Sequence, residues 1–204
     1  MEVPDIVVVA PATRNTLSKI SSGVMDDPAM MAISAASGAG RPILLVPSMH
    51  DDLFDDPVTQ ELLGTMRGMG HHVLTSPSEE GRRKQPLPEV IVRRVCHLAN
   101  GDRSGLCDVA VFYGATSSNI DPVRVITNTS SGRTGFMVSD HLERMGHNVT
   151  RVVGSSTPHD HSGISARTPS DMIEAASLIS SEAGPDVWVC LLYTSDAADE
   201  VVSV

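Results

Sequence analysis

Short apolar runs alternate along this 204-residue chain with segments of helical periodicity, and that alternation predicts an α/β fold of two units with parallel sheets. Two further observations point the same way. The runs Asp5–Ala10 and Ile43–Val46 are continuously apolar, as in strands covered on both faces. A polar, glycine-containing stretch, Asn100–Gly105, breaks the pattern midway and divides the chain.

Each element has its own signal. Asp5–Ala10 is the first strand. Residues Thr16–Ser37 carry small and apolar side chains at helical spacing, broken at Asp26-Asp27-Pro28. Proline is tolerated in the first turn of a helix and not in its middle, so two helices are expected there. Ile43–Val46 is the second strand, ending at Pro47. An amphipathic helix over Val58–Gly68 is closed by glycines, and His72–Thr75 is a short third strand. Pro88 or Glu89 opens a helix that runs to about Leu98. Beyond a linker at 101–107, Val109–Tyr113 is a strand that enters a turn at Gly114. Val123–Thr127 is extended, and a helix covers Gly135–Met145 with Gly146 at its C′ position. Val149–Val153, a helix over Pro169–Ser181 and a strand over Asp186–Val189 complete the second unit. Sheets of this Rossmann-like kind bind ligands at the carboxyl ends of their strands.

Composition narrows the class of function. Hydrophobic residues make up 41% of the chain, yet no apolar run is long enough to span a bilayer and no signal-peptide pattern opens it. A formal charge of −10 argues against a nucleic-acid-binding surface and reads as the solvated face of an acidic cytoplasmic protein. Aromatic residues are only 3%, so the core must be built from Val, Ile, Leu, Met and Ala. Cys96, Cys107 and Cys190 show no CxxC spacing and read as structural thiols in a reducing compartment. His71-His72 and His159-Asp160-His161 offer metal-ligand residue types, but their polar loop setting favours a reading without metal. Neither Asp5–Ala10 nor Val109–Tyr113 is followed by GxGxxG, which excludes a dinucleotide-binding dehydrogenase.

The stretch from Ile120 to Gly135, IDPVRVITNTSSGRTG, carries the most chemistry. It passes from an extended segment through a small, polar turn into a helix beginning near Phe136. Such a turn presents backbone N–H groups and hydroxyls at a helix N-terminus, where the dipole favours an anion. Asn128, Ser130 and Ser131 are short enough to bind phosphate without blocking it, and Gly132 and Gly135 allow close backbone approach to a ligand. An ordinary strand-to-helix connection with an N-cap serine is the alternative reading. Arg124 is expected to be tied to a carboxylate such as Asp121.

Together with Gly114-Ala115-Thr116, this stretch resembles the start of phosphopantothenate–cysteine ligase domains, whose pattern reads GGT and then IDPVRxITNxSSGxxG. The chain departs from it at Ala115, Thr129 and Arg133. Upstream, Ala10-Pro11-Ala12-Thr13-Arg14-Asn15-Thr16 resembles the PASANT-type motif of flavin-dependent cysteine decarboxylases. Pro47-Ser48-Met49-His50-Asp51-Asp52-Leu53-Phe54 is similar to their PxMNxxMW motif, with His50 in place of Asn as in archaeal-like members.

In many members the two activities are fused in this order, as the bifunctional decarboxylase/ligase of coenzyme A biosynthesis. The resemblance implies a flavodoxin-like flavoprotein part followed by a ligase part, both incomplete. Residues 1–100 correspond to the C-terminal half of a decarboxylase domain and 108–189 to the N-terminal half of a ligase domain. Residues 190–204 do not continue the pattern and are expected to be a non-native tail like translated adapter DNA.

The resemblance also implies roles. FMN is the expected cofactor, with Asn15, Thr16 and Met49 beside it and His50 meeting the substrate carboxylate; a His50 that merely caps the strand end is the alternative. CTP with Mg²⁺ would activate 4′-phosphopantothenate as an acyl-cytidylate, which the amine of cysteine then displaces. Gly114 and Thr116 would face the nucleotide, Asn128 would bond the phosphopantothenate or acyl intermediate, and Ser130, Ser131 and Gly132 would cradle phosphate. The family's mobile clamp carries a reactive cysteine that Ser78–Pro86 lacks. The chain is therefore expected to be an inactive fragment of a homo-oligomeric enzyme. A non-catalytic flavin-binding or regulatory relative acting as an oligomeric scaffold is the second reading.

Overall fold

A computed structural model describes residues 4–155, 163–181 and 184–192. Its backbone divides into two compact units, Met1–Ala99 and Asn100–Val204. His159 and His161 lie outside the described residues.

In chain order the first unit is β1 (Val7–Ala12), α1 (Arg14–Ser22), α2 (Pro28–Gly38), β2 (Ile43–Pro47), β3 (Met49–His50), α3 (Asp51–Phe54), α4 (Pro57–Gly68), β4 (His72–Val73), β5 (Arg82–Arg83) and α5 (Pro88–Asn100). β1, β2 and β4 form a parallel sheet in that order, and β3 pairs antiparallel with β5 as a separate ribbon. The helix break falls where the proline places it. Asp27 caps α2 by accepting from the Met30 N–H at 2.9 Å, with Pro28 in the first turn. Gly23 ends α1 in the left-handed conformation, φ 67°, that only glycine adopts without strain. Leu17, Ile33, Ile43, Leu45, Leu63 and Met66 are buried together between the sheet and its helices. β2 is buried at every residue, but Val8 and Ala10 of β1 are exposed. β1 is thus not covered on both faces as its apolar run suggests, because it is the outer strand of this sheet.

The second unit is β6 (Asp108–Tyr113), β7 (Ser117–Asn119), β8 (Val125–Thr127), α6 (Arg133–Arg144), β9 (Asn148–Val153), β10 (Ile164–Ser165), α7 (Pro169–Ser181) and β11 (Val187–Leu191). Its four-stranded parallel sheet has the order β10-β9-β6-β11. Side chains along β6 alternate between two cores. Val109, Val111 and Tyr113 face Phe136 and Leu142 of α6, while Ala110 and Phe112 face Met172 and Ala175 of α7. β6 is therefore covered on both sides, which its uninterrupted apolar sequence requires.

Two local findings add to the sequence reading. The extended segment before the SSG turn does not join the parallel sheet: Val125–Thr127 pairs antiparallel with Ser117–Asn119, and Val125 and Ile126 stay exposed. β11 runs two residues past Val189, with Cys190 opposite Phe112 and Leu191 opposite Tyr113. Leu191 packs on the same core as Tyr113, so alternation of side chains carries the ladder on.

Gly135 also has a different task from the one expected. A Cβ there would stand 2.1 Å from the Cβ of Tyr113, so the missing side chain lets α6 lie directly on β6 rather than admitting a ligand. Gly135→Ala should destabilise the second unit by about 1–3 kcal/mol, the usual cost of forcing extra volume into a packed site. Urea unfolding followed by the fluorescence of Trp188 measures this, and an unchanged midpoint would show that α6 moves aside freely.

Candidate functional site

The second unit collects its predicted residues at the carboxyl end of β6. The strand ends in a turn at buried Gly114, φ 102°, a conformation that favours glycine. Ala115 follows with ordinary backbone geometry and a buried methyl group, which is why the second glycine of GGT is dispensable here. Its carbonyl accepts from the Ser155 N–H at 2.8 Å, locking the turn to the end of β9. Thr116 is reached from the other side: the Thr127 hydroxyl donates to its carbonyl at 3.0 Å, and the Asn128 side-chain NH₂ points to its hydroxyl at 3.5 Å.

Asn128 Oδ1 accepts from the Ser130 N–H at 3.2 Å, an Asx turn that fixes the amide's orientation. The next amides are met by hydroxyls at long range, Gly132 N–H by Ser130 Oγ at 3.4 Å and Arg133 N–H by Ser131 Oγ at 3.5 Å. Gly132 adopts φ 66° and begins α6 as its N-cap, its carbonyl accepting from Phe136 N–H at 2.9 Å. Gly132, as N-cap, has no side chain to cap the helix, and no acidic residue stands in its first turn, where Arg133 is placed instead. A helix start with a cation and without a carboxylate favours an incoming anion. The turn thus draws Thr116, three residues beyond the strand end at Tyr113, together with Asn128, Ser130, Ser131 and Gly132, directly ahead of a helix dipole.

Arg124 closes the loop that leads there. Its Nε donates to Asp121 Oδ2 at 2.6 Å, while Asp121 Oδ1 accepts from the Val123 and Arg124 amides at 2.9 and 2.8 Å. The Val123 amide, then the Arg124 side chain, holds the Asp121 carboxyl below the usual range.

In the first unit Asn15, Thr16, Met49 and His50 all follow the carboxyl ends of adjacent parallel strands, β1 and β2. The Ser48 N–H donates to the Ala12 carbonyl at 3.3 Å and joins the two strand ends. Thr13 caps α1 by accepting from the Thr16 N–H at 3.2 Å, and the two hydroxyls meet at 3.0 Å. Thr16 is thereby engaged within the turn, whereas the exposed Asn15 amide has no hydrogen bond among the described residues. Met49 packs against the core and His50 is exposed beyond it.

Sequence reasoning missed the ribbon that returns to this edge. Arg83 of β5 stacks over Phe54 at 4.2 Å and stands 3.6 Å from Asp51 and 3.7 Å from Asp55. The one signal for it was Glu80-Gly81, a two-residue turn in which both residues have positive φ, 53° and 74°. Also unforeseen was the contact of Cys107 with His147, whose Nδ1 accepts the Cys107 N–H at 3.2 Å and lies 3.2 Å from the thiol sulfur.

Among the described residues no group of three or more His, Cys, Asp or Glu is placed to hold a metal ion, and no helix is long and apolar enough to cross a membrane. His71, read as a loop residue, is buried ahead of β4 with its Nε2 unpartnered among the described residues.

These are the features of a parallel α/β protein with polar turns gathered at the carboxyl edges of its sheets. Residues 1–100 match the flavoprotein family model, and residues 106–191 match that of the DNA/pantothenate metabolism flavoprotein C-terminal domain. Among curated relatives, the coenzyme A biosynthesis bifunctional protein CoaBC of Thermococcus kodakarensis is 36% identical over 173 residues, 84% of this chain and 43% of that protein. A cysteine/cysteine sulfinic acid decarboxylase from an unknown prokaryotic organism is 33% identical over 192 residues, 84% of this chain and 51% of that protein. Of solved structures, the C-terminal domain of a CoaBC protein matches with 27% identity and a TM-score of 0.40, covering 45% of this chain and 47% of that one. The FMN binding protein AtHal3 matches with 24% identity and a TM-score of 0.39, covering 43% of this chain and 50% of that one. The chain spans about half the length of the curated relatives it matches. It belongs to the CoaBC-like flavoproteins, with a flavoprotein domain match followed by a C-terminal-domain match.

Burial lowers the pKa of both His71 and His72 from the ordinary 6.5, and the nearby Arg94 cation lowers that of His72 further. Their neutral forms are favoured in the fold, so this contribution to stability is complete above pH 6.5 and is lost as pH falls below it. Urea midpoints should therefore drop between pH 7 and pH 5, and drop less in His71→Gln; identical slopes for the two proteins would refute the assignment.

Proposed function

We propose that the chain carries part of a two-step coenzyme A biosynthesis enzyme. The C-terminal unit takes part in CTP-dependent condensation of 4′-phosphopantothenate with cysteine, and the N-terminal unit in FMN-dependent decarboxylation of the product. The observation that carries this reading is the convergence of Thr116, Asn128, Ser130 and Gly132 on a helix start whose N-cap is a glycine. A cradle of amides and hydroxyls suits phosphate oxygens and a carboxylate being activated. In this reading a carboxylate oxygen of phosphopantothenate attacks the α-phosphorus of CTP and releases pyrophosphate. The amine of cysteine then attacks the acyl carbon, forming the amide and releasing CMP.

Asn128 has a divided task. Its Oδ1 is held by the Ser130 amide, so only its NH₂ is left to bond substrate, on the side of Thr116. Gly114 and Thr116 flank the nucleotide, and the amides of Gly132 and the first turn of α6 receive phosphate oxygens. Magnesium would enter as the counter-ion of the nucleotide, held by its phosphates, since no protein cluster offers three ligands among the described residues.

In the N-terminal unit, the free Asn15 amide and the Thr13–Thr16 turn fit a polar cofactor edge, with Met49 as an apolar neighbour. FMN bound there would supply the two-electron oxidation that makes loss of the cysteine carboxylate easy. His50 donates a hydrogen bond to that carboxylate from a ring N–H, which imidazole has in either protonation state. By the same family reading the active form is a homo-oligomer.

One feature favours a second reading, a flavin-binding scaffold without turnover: Ser78–Pro86 contains no thiol to serve as an acid in the decarboxylation. Yellow colour with neither CTP-dependent condensation nor CO₂ release from the intact enzyme would establish the scaffold and overturn the enzyme.

Asn128→Asp tests the ligase reading directly. Aspartate keeps the acceptor for the Ser130 amide, so the loop persists, but it replaces the donor with a negative charge. Condensation should fall at least about 100-fold, the loss expected for a donor aimed at developing charge, while the flavin spectrum stays unchanged. Wild-type rates would remove Asn128 from the site.

A further inference from the structure

We infer that Arg82 is a substrate-binding residue, which together with His50 forms a two-pronged carboxylate site at the carboxyl edge of the N-terminal sheet. The inference rests on the decarboxylase reading for the identity of the substrate and on the β3–β5 ribbon for its geometry.

The ribbon sets the placement. His50 lies directly opposite Arg82 and Met49 directly opposite Arg83. Residues opposite one another in an antiparallel pair share a face, so His50 and Arg82 project together on one side and Met49 and Arg83 on the other. Cβ atoms of such a pair lie about 4.5–5.5 Å apart, so both polar tips can reach one carboxylate.

The backbone beneath Arg82 is well anchored. Glu79 and Arg82 exchange backbone hydrogen bonds of 2.8 and 3.1 Å across the Glu80-Gly81 turn. The Asp51 amide donates to the Gly81 carbonyl at 3.0 Å, and the Ser78 hydroxyl donates to the Asp51 carboxylate. Arg83 fastens the other face through Phe54, Asp51 and Asp55.

Charge singles out Arg82 from its neighbours. Arg83 is matched by Asp51 and Asp55, and Lys84 by Glu79 and Glu80 at 3.6 and 3.5 Å. Arg82 has no ion pair and His50 no hydrogen bond among the described residues, and both are exposed. A cation set opposite a histidine gains nothing for the ribbon itself, because like groups across a ladder repel when both are charged. In a chain of net charge −10, an arginine of the ribbon left without a carboxylate partner suits an anion that arrives from outside. The planar guanidinium fork binds a carboxylate in bidentate fashion, and the imidazole N–H adds a third donor. The segment without a cysteine thus contributes recognition rather than an acid.

The test compares wild type, Arg82→Gln and Arg82→Lys in the intact flavoprotein. KM is measured for the phosphorylated cysteine conjugate and for its dephosphorylated form, with inhibition by the decarboxylated product alongside. Arg82→Gln should raise KM about 10- to 100-fold for both substrates, with Lys restoring part of it, and leave the flavin spectrum and product inhibition unchanged. A loss confined to the phosphorylated substrate would mean that Arg82 reads phosphate, and unchanged KM that it reads nothing; either overturns the inference. A second measurement is independent of turnover: NMR titration with N-acetylcysteine and with its uncharged amide. Binding of the acid alone, abolished in Arg82→Gln, sustains the carboxylate site even where colour and turnover fail. Equal binding of acid and amide, equal binding by both proteins, or no binding by wild type refutes it.

Discussion

The contact between Gly135 and Tyr113 governs the second unit. A Cβ at Gly135 would stand 2.1 Å from Tyr113 Cβ and 2.4 Å from its Cγ, so the backbone of α6 rests directly on the Tyr113 side chain of β6. That approach sets the start of the helix beside the turn that follows the strand. The residues at Thr116 and at Asn128–Gly132 come from separate connections, and they meet only because the helix is seated so low. A second close approach supports the first. Gly154 would place a Cβ 2.1 Å from the Ala115 carbonyl, so the loop ends of β6 and β9 are pressed together in the same way. Around these contacts the buried Arg151 guanidinium, bonded to Ser139 at 3.0 Å and Glu143 at 2.6 Å, ties β9 to the same helix.

The N-terminal unit solves a comparable positioning problem with charge. α3 is only four residues long and cannot hold its place through its own hydrogen bonds. Phe54 anchors it in the core, and Arg83 covers that ring while facing Asp51 and Asp55. One arginine therefore joins a short helix to the β3–β5 ribbon. Removing it would leave Asp51, partly buried, without its cation.

Most of the fold was legible in the sequence because its elements obey local rules. Pro28 and Asp27 marked a helix start, Pro169 opened a helix that ends at Ser181, and buried strands appeared as apolar runs. The failures have physical causes. Val123–Thr127 was legible only as an extended segment, and its pairing was not: Val125 and Ile126 are exposed in a ribbon stabilised by the closed Asp121–Arg124 turn. Gly135 looked like a ligand-binding glycine, and no local signal tells an approach by a ligand from an approach by Tyr113. The candidate site was legible as a list of residue types and not as a geometry. The Asx turn of Asn128 depends on a rotamer, and the facing of His50 and Arg82 depends on a pairing across 31 intervening residues.

The side-chain oxygens of Asn128, Ser130 and Ser131 occupy the same amide hydrogens that an anion would claim. On the proposed reading the loop is its own surrogate guest, and association would be an exchange of acceptors rather than the filling of a void. At 3.2 to 3.5 Å these internal bonds are weak, so a charged oxygen can supplant them at small cost while a neutral one gains little. On the proposed reading, discrimination between an ionised guest and its uncharged mimic is built into the competitor.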